Sequence, residues 1–234
     1  MVFVRSELKQ QAKDLMKNHF PQMFLVCLIG GLIAGEFFDV NFNVDTGLIQ
    51  VSIAQTFDLT LDILEGGLLV IAFTLYVAGS LAFMAFVGSP FRQGMTAYFR
   101  NVTLGKANLE DLLHCFSGNY LHNVKVLFHR DLRIIGWSLL LIVPGIIKEY
   151  EYAFVGYLLK DHPDISPEDA LELSSKMTDG LKLEMFVLDL SYFLWGILSS
   201  ALAVFTLGLS HVVLNVYTKQ THAQLYQWVL THHD

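Results

Sequence analysis

The residues of this chain best placed to do chemistry are ionisable groups set inside apolar runs. Asp189 stands four residues into M185-F-V-L-D-L-S-Y-F-L-W-G-I-L198, close to Ser191 and Tyr192. A carboxylate is costly in hydrocarbon and is kept there for proton relays, cation sites or bonds between helices. Asp189 is therefore a candidate proton or cation site, with helix packing near the membrane interface as the plainer alternative. Lys148 and Glu151 lie three apart in I146-I-K-E-Y-E-Y152, which puts them on one helix face. They form either a structural salt bridge or a self-neutralised pair lining a polar cavity. His211 and Asn215, one turn apart, fit a ligand site or, more commonly, an interhelical hydrogen bond.

Other chemistries find little to rest on. The chain carries no H-E-x-x-H, G-x-S-x-G or P-loop pattern, so no catalytic residue is assigned and the reading is non-enzymatic. His114 and His122 share a helix face at a separation of eight, but no third ligand accompanies them, so no metal site and no cofactor are expected. Cys27 and Cys115 are far apart in apolar surroundings and read as packing residues. A net charge of −7 argues against nucleic acid as a partner.

The elements that must hold these groups belong to a membrane protein. Hydrophobic residues make up 53% of the 234, charged residues 16%, and the mean hydropathy is +0.47. Soluble domains run near a quarter charged, so lipid is the expected solvent and residues 1–234 read as one integral membrane domain. Residues 66–88 contain no charge and reach about 34 Å as a helix, enough to cross a hydrocarbon core of roughly 30 Å. Residues 20–35 make a shorter span. Residues 185–216 would reach about 48 Å, too long for one upright crossing. They read as one tilted span or as two short ones turning near Thr206-Leu207-Gly208. Gly31 with Gly35 and Ala78 with Ala82 have the small-xxx-small spacing that lets helices approach closely, within the bundle or across a dimer face.

Charge placement gives an orientation. Arg5, Lys9, Lys13 and Lys17 precede the first span, residues 36–62 hold five acids and no Lys or Arg, and residues 89–133 hold six basic against three acidic residues. By the positive-inside rule the N-terminus is cytoplasmic and the 36–62 loop external. Residues 1–18 have the fourfold cation spacing of an amphipathic helix lying on the cytoplasmic interface. Within 161–184, Ser166 as N-cap, Pro167 at the first position, Asp169 at the third, the Glu172–Lys176 pair and Gly180 after the end predict a second short amphipathic helix over about 167–179.

The stretches W137-S-L-L-L-I-V-P-G-I-I-K148, E149-Y-E-Y-A-F-V-G-Y-L-L-K-D-H-P-D-I-S-P-E-D-A170 and M185-F-V-L-D-L-S-Y-F-L-W-G-I-L198 resemble the bacterial integral membrane proteins grouped as domain of unknown function 975, found mostly in Gram-positive bacteria. The likeness is strong over about 108–198 and returns around Y217-T-K-Q-T-H-A-Q-L-Y226. It implies a multi-pass helical protein and assigns no activity. Where such relatives run apolar, this chain has His129, Arg130, Asp131 and Arg133, whose cost in lipid is lowered if Asp131 pairs with an arginine.

Pro144-Gly145 leaves two readings. Either one kinked helix over about 132–160 crosses the bilayer, or Pro144-Gly145 turns a hairpin with limbs near 124–143 and 146–159. The first gives four spans with 161–184 outside; the second gives six with 161–184 inside. The expectation is an all-α polytopic bundle, six spans favoured and four possible, with both termini cytoplasmic in a bacterial cell membrane. Its partners are the lipid bilayer and, in addition, other membrane proteins or further copies of itself. The expected function is a non-catalytic accessory or scaffold, with a small-molecule, ion or lipid transporter as the alternative.

Overall fold

The computed structural model describes residues 3–34, 63–116, 119–206 and 208–232, and among these every regular element is helical. Helix α1 spans Arg5–Ala34, α2 Ile63–Phe83 and α3 Ser89–Thr103, the last two joined without a break by a π turn at Met84–Gly88. A 3₁₀ segment, Leu109–Phe116, leads to α4 Tyr120–Leu140, α5 Ile142–Glu151, α6 Val155–Asp161, α7 Pro167–Met177, α8 Lys182–Thr206 and α9 Leu209–His232.

Two helices are long and apolar enough to cross a membrane, Val70–Thr103 and Lys182–Ala203. They differ in burial. Val70, Ile71, Phe73, Leu75 and Tyr76 point in different directions around α2, and each is at least 58% exposed. From Val70 onward the helix therefore presents apolar side chains on every side and has no packing partner among the described residues. Ala78 and Ala82 lie on this exposed stretch, so neither packs within the bundle, and Gly79 between them has open space around it. Gly31 is buried in α1, while Gly35 lies outside the described residues, as does the 36–62 loop.

The second feature is a hairpin displaced from where the sequence puts it. Leu141 is extended, at φ −157° and ψ 142°, and the chain reverses there, three residues before Pro144. Pro144 instead occupies the first turn of α5, where a missing N–H costs nothing. Gly145 has its own reason: a Cβ there would meet the Ser138 Cα at 2.8 Å on the opposing limb. A single kinked helix over 132–160 is thus excluded. The returning limb is also shorter than expected, because α5 ends at Glu151 and Val155, Leu158 and Leu159 of α6 are buried in the core. At ten residues α5 is only about 15 Å long.

Of the two readings open for residues 185–216, the structure has the one that turns near Gly208. Helix α8 gives way to α9 through Gly208, whose φ of 83° is left-handed and whose N–H bonds the Ala203 carbonyl at 2.9 Å. The helix expected within 161–184 is α7: Ser166 Oγ accepts the Asp169 N–H at 3.2 Å, Glu172 and Lys176 pair at 2.6 Å, and Gly180 takes φ 71°. Of the amphipathic helix expected over residues 1–18, Arg5 onward is helical and continues without a break through Pro21 into the apolar half of α1.

The polar ends of these helices lock together. Arg100 on α3 pairs with Asp161 at 3.2 Å and lies over the Tyr226 ring of α9 at 5.0 Å, and the Tyr226 hydroxyl donates to Asp161 at 3.0 Å. Tyr226 also stacks on Tyr157, with centroids 4.8 Å apart. Gly94 lets α3 meet the 3₁₀ segment, since a Cβ there would fall 1.9 Å from the Leu112 carbonyl oxygen. Further pairs tie in the flanks: Lys160 with Asp111 at 3.7 Å, Asn119 with Asp164 at 3.1 Å and Arg5 with Glu184 at 3.8 Å. Cys27 and Cys115 are both buried here.

Candidate functional site

The ionisable residues singled out by the sequence separate into three environments. Glu151 ends α5, is nearly buried, and takes Lys148 at 2.6 Å on one carboxylate oxygen and Lys182 of α8 at 2.9 Å on the other. Its backbone carbonyl accepts from Ser174 Oγ at 2.8 Å and from Thr178 Oγ1 at 3.3 Å. Lys148 further lies near the Trp137 and Tyr152 rings, at 5.7 and 5.4 Å. Every charged atom of this cluster faces a partner from another turn or helix. It clamps the base of the α4–α5 hairpin to α7 and α8.

His211 is buried between α8 and α9, with Nδ1 3.1 Å from Ser199 Oγ, an interhelical bond across the turn. Asn215, one turn on, offers its backbone carbonyl to Thr218 Oγ1 at 3.1 Å. Their spacing does not bring them together on a shared partner. His122 meets the Ile165 carbonyl at 2.8 Å, the side chain of His114 lies outside the described residues, and among the described residues no three His, Cys, Asp or Glu are grouped to hold a metal.

Asp189 is different. One of its oxygens is 2.7 Å from His222 Nε2 of α9, and the other accepts the Tyr150 hydroxyl of α5 at 3.0 Å. These three groups form one wall of a cleft of about 930 Å³, a size common for small-ligand sites. The lining also carries Ser89, Arg92, Arg130 and Asp131. Arg130 binds one Asp131 oxygen through two nitrogens at 2.9 and 2.7 Å, as the sequence allowed, so that pair is internally neutral. Arg92 donates from Nη2 to Ser89 Oγ at 3.3 Å, makes no ion pair among the described residues, and has its Nε shielded without an acceptor. Apolar residues complete the lining, among them Leu81 just before the π turn, Met84 within it, Ile135, Ile146 and Phe186. π turns are frequent at functional sites because the extra residue widens one turn and re-aims its side chains.

His222 and Arg92 were beyond sequence reasoning. His222 lies 33 residues from Asp189, and nothing in its neighbourhood signals a partner. Arg92 reads as one of several cytoplasmic cations. The nearest signal was the apolar run 185–216, which in one of its two readings turns near Thr206-Leu207-Gly208 and so folds its halves face to face.

Away from the cleft, burial sets the chemistry of two groups. It pushes the Cys115 thiol up to about 12, and it raises the Tyr226 hydroxyl, with the Asp161 charge acting the same way. Both are neutral packing groups at physiological pH.

No curated protein and no solved structure matches the chain. Residues 108–233, from the 3₁₀ segment through α9 and hence both hairpins and most of the cleft, match the family described as Protein of unknown function (DUF975), and the chain belongs to that family.

Proposed function

We propose that the protein is a multi-pass integral protein of the bacterial cytoplasmic membrane and serves there as a non-catalytic accessory or scaffold. The observation that carries this reading is the contrast between interlocked polar helix ends and apolar elements that none of the described residues covers. Helix α2 is exposed on every side from Val70 onward, and the consecutive residues Leu139, Leu140, Leu141, Ile142 and Val143 at the α4–α5 turn are each at least 66% exposed. Hydrocarbon is the solvent that makes such a surface stable. Six segments then meet lipid: the second half of α1, α2, the two limbs of α4–α5 and the two limbs of α8–α9. Each hairpin enters and leaves on one side, so both termini are cytoplasmic whether or not its turn reaches the far leaflet. The α4–α5 pair, about 15 Å deep on its α5 limb, is re-entrant. The uncovered face of α2 is where a partner helix or a second copy docks.

A transporter is the second reading, favoured by the cleft and its Asp189–His222 pair at the base of the lipid-facing helices. The two are separated by purification from native membrane after cross-linking. Subunits that co-purify stoichiometrically and are lost when Phe73 and Tyr76 are changed to Ala support the scaffold. A lone protein that moves solute in vesicles supports transport.

A further inference from the structure

We infer that the cleft between α2–α3, the α4–α5 hairpin and α8–α9 is a binding site for one membrane phospholipid whose headgroup carries a primary ammonium beyond its phosphodiester. The inference rests on the membrane reading above, because the ligand must reach the cleft from lipid. Its apolar wall is continuous with surface assigned to hydrocarbon: Leu81, Ile135, Ile146 and Phe186 line the cleft and are also between 39% and 66% exposed. Acyl chains can therefore lie along these residues while the headgroup sits deeper.

The charges of the cleft sort into two poles once internal pairs are removed. Arg130 and Asp131 cancel. What is left is a cation, Arg92, whose Nη2 donates to Ser89 Oγ, which in turn donates to an Asp131 oxygen at 3.5 Å. On α5 and α8 there remain the carboxylates of Glu149, which is unpaired among the described residues, and of Asp189, which His222 only partly offsets. Glu149 forms no ion pair among the described residues, and Asp189 has one oxygen on the Tyr150 hydroxyl and the other on His222. A guanidinium lacking a carboxylate partner suits a phosphodiester, which it can engage through two N–H groups. A carboxylate pole suits an ammonium, which brings three donors and no acceptor. A headgroup with both charges complements both poles, whereas a purely anionic one meets Glu149 and Asp189 as repulsion. A trimethylated ammonium keeps the charge but has no N–H to donate.

The full-length protein in dodecyl maltoside micelles, doped with one dioleoyl lipid at a time, tests this by its melting temperature. Phosphatidylethanolamine is expected to raise it by about 5–10 °C, the shift for a ligand well above its Kd on a chain of this size. Phosphatidylcholine and phosphatidylglycerol are expected to give less than half of that rise, and diacylglycerol or inorganic phosphate almost none. Equal rises for phosphatidylethanolamine and diacylglycerol would mean that only tails are bound and would overturn the proposal. So would equal rises for ethanolamine and choline lipids, or a rise with inorganic phosphate as large as with lipid. These comparisons use the parent protein and do not depend on any variant folding. Arg92→Gln should erase the advantage of phosphatidylethanolamine over diacylglycerol, and Glu149→Gln its advantage over phosphatidylglycerol, with lipid-free melting unchanged; a retained advantage in either refutes the assigned pole. Carbonate extraction of native membranes keeps the two claims apart. Protein released by carbonate defeats the membrane reading, while protein retained without lipid preference defeats only the cleft.

Discussion

Arg100 is 7% exposed and holds three elements at once, through Asp161, Gln227 and the Tyr226 ring. Arg100→Leu strands the Asp161 carboxylate and should lower unfolding stability by about 3 kcal/mol, the low end for breaking a buried pair because Asp161 is itself one-quarter exposed. Denaturant titration of Arg100→Leu, Asp161→Asn and the double variant measures it, and additive losses would show that the pair is not coupled. At the same scale Cys115 should resist iodoacetamide at pH 8 in folded protein and react within minutes in urea, because burial keeps its thiol protonated up to about pH 12. Asp189→Asn separates the uses of its cluster: a structural bond to Tyr150 survives the change to an amide, whereas substrate-linked flux or proton coupling does not. Sequence reading located Asp189, Lys148 and Glu151 because charge in an apolar run stands out against its background. It could not supply His222, Lys182 or Arg92, since a partner one helix away is fixed by how helices fold back and carries no local mark.

Helix existence was legible wherever a local rule acts alone. The capping signature at Ser166-Pro167 and the left-handed Gly180 delimit α7 without help from its neighbours. The α4–α5 turn was misread because Pro-Gly is a strong turn signal that here serves two other needs, the first turn of a helix at Pro144 and the close approach to Ser138 at Gly145. Close approach also governs Gly94: Gly94→Ala must move the Leu112 backbone, and a loss of about 1–3 kcal/mol or more is expected in thermal unfolding, with the 3₁₀ segment the first to gain amide exchange. The hairpin itself makes a sharper test. Trp137, one turn from the extended Leu141, is 44% exposed beside the apolar turn. With Trp195 and Trp228 changed to Phe, its fluorescence in vesicles should be quenched strongly by lipids brominated on the acyl chain. Adding Leu140→Asp and Ile142→Asp, each costing about 3 kcal/mol in hydrocarbon, should remove the quenching. An unquenched Trp137 in the parent would place the hairpin in water.

Across the whole molecule the charge pattern and the packing bear on one question, the side of the membrane on which residues 161–184 lie. The sequence favours six spans, with this segment inside, while leaving four possible, because acidic residues count little in the positive-inside rule and both even-span topologies put the termini inside. Under the membrane reading proposed above, packing argues for the cytoplasmic side. Asp161 bonds Arg100 at 3.2 Å, Asp164 bonds Asn119 at 3.1 Å, and Glu184 pairs with Arg5 at 3.8 Å, so the segment touches both stretches that the charge rule assigns to the cytoplasm. Helix α7 packs on α4 through Ala170 and Leu171 beside Val126 and Leu127, which leaves no bilayer between them. A chain that places 161–184 outside must break all of these contacts together. Cysteine substitutions for Ser166, Gly105 and Asp45, probed in intact cells with a membrane-impermeant maleimide, decide it. Asp45→Cys should label at once, while Ser166→Cys and Gly105→Cys should label only after permeabilisation. Labelling of Ser166→Cys in intact cells, with Gly105→Cys still protected, would mean that the α4–α5 segment crosses the membrane once instead of returning and that the polar core assembles only outside its native membrane.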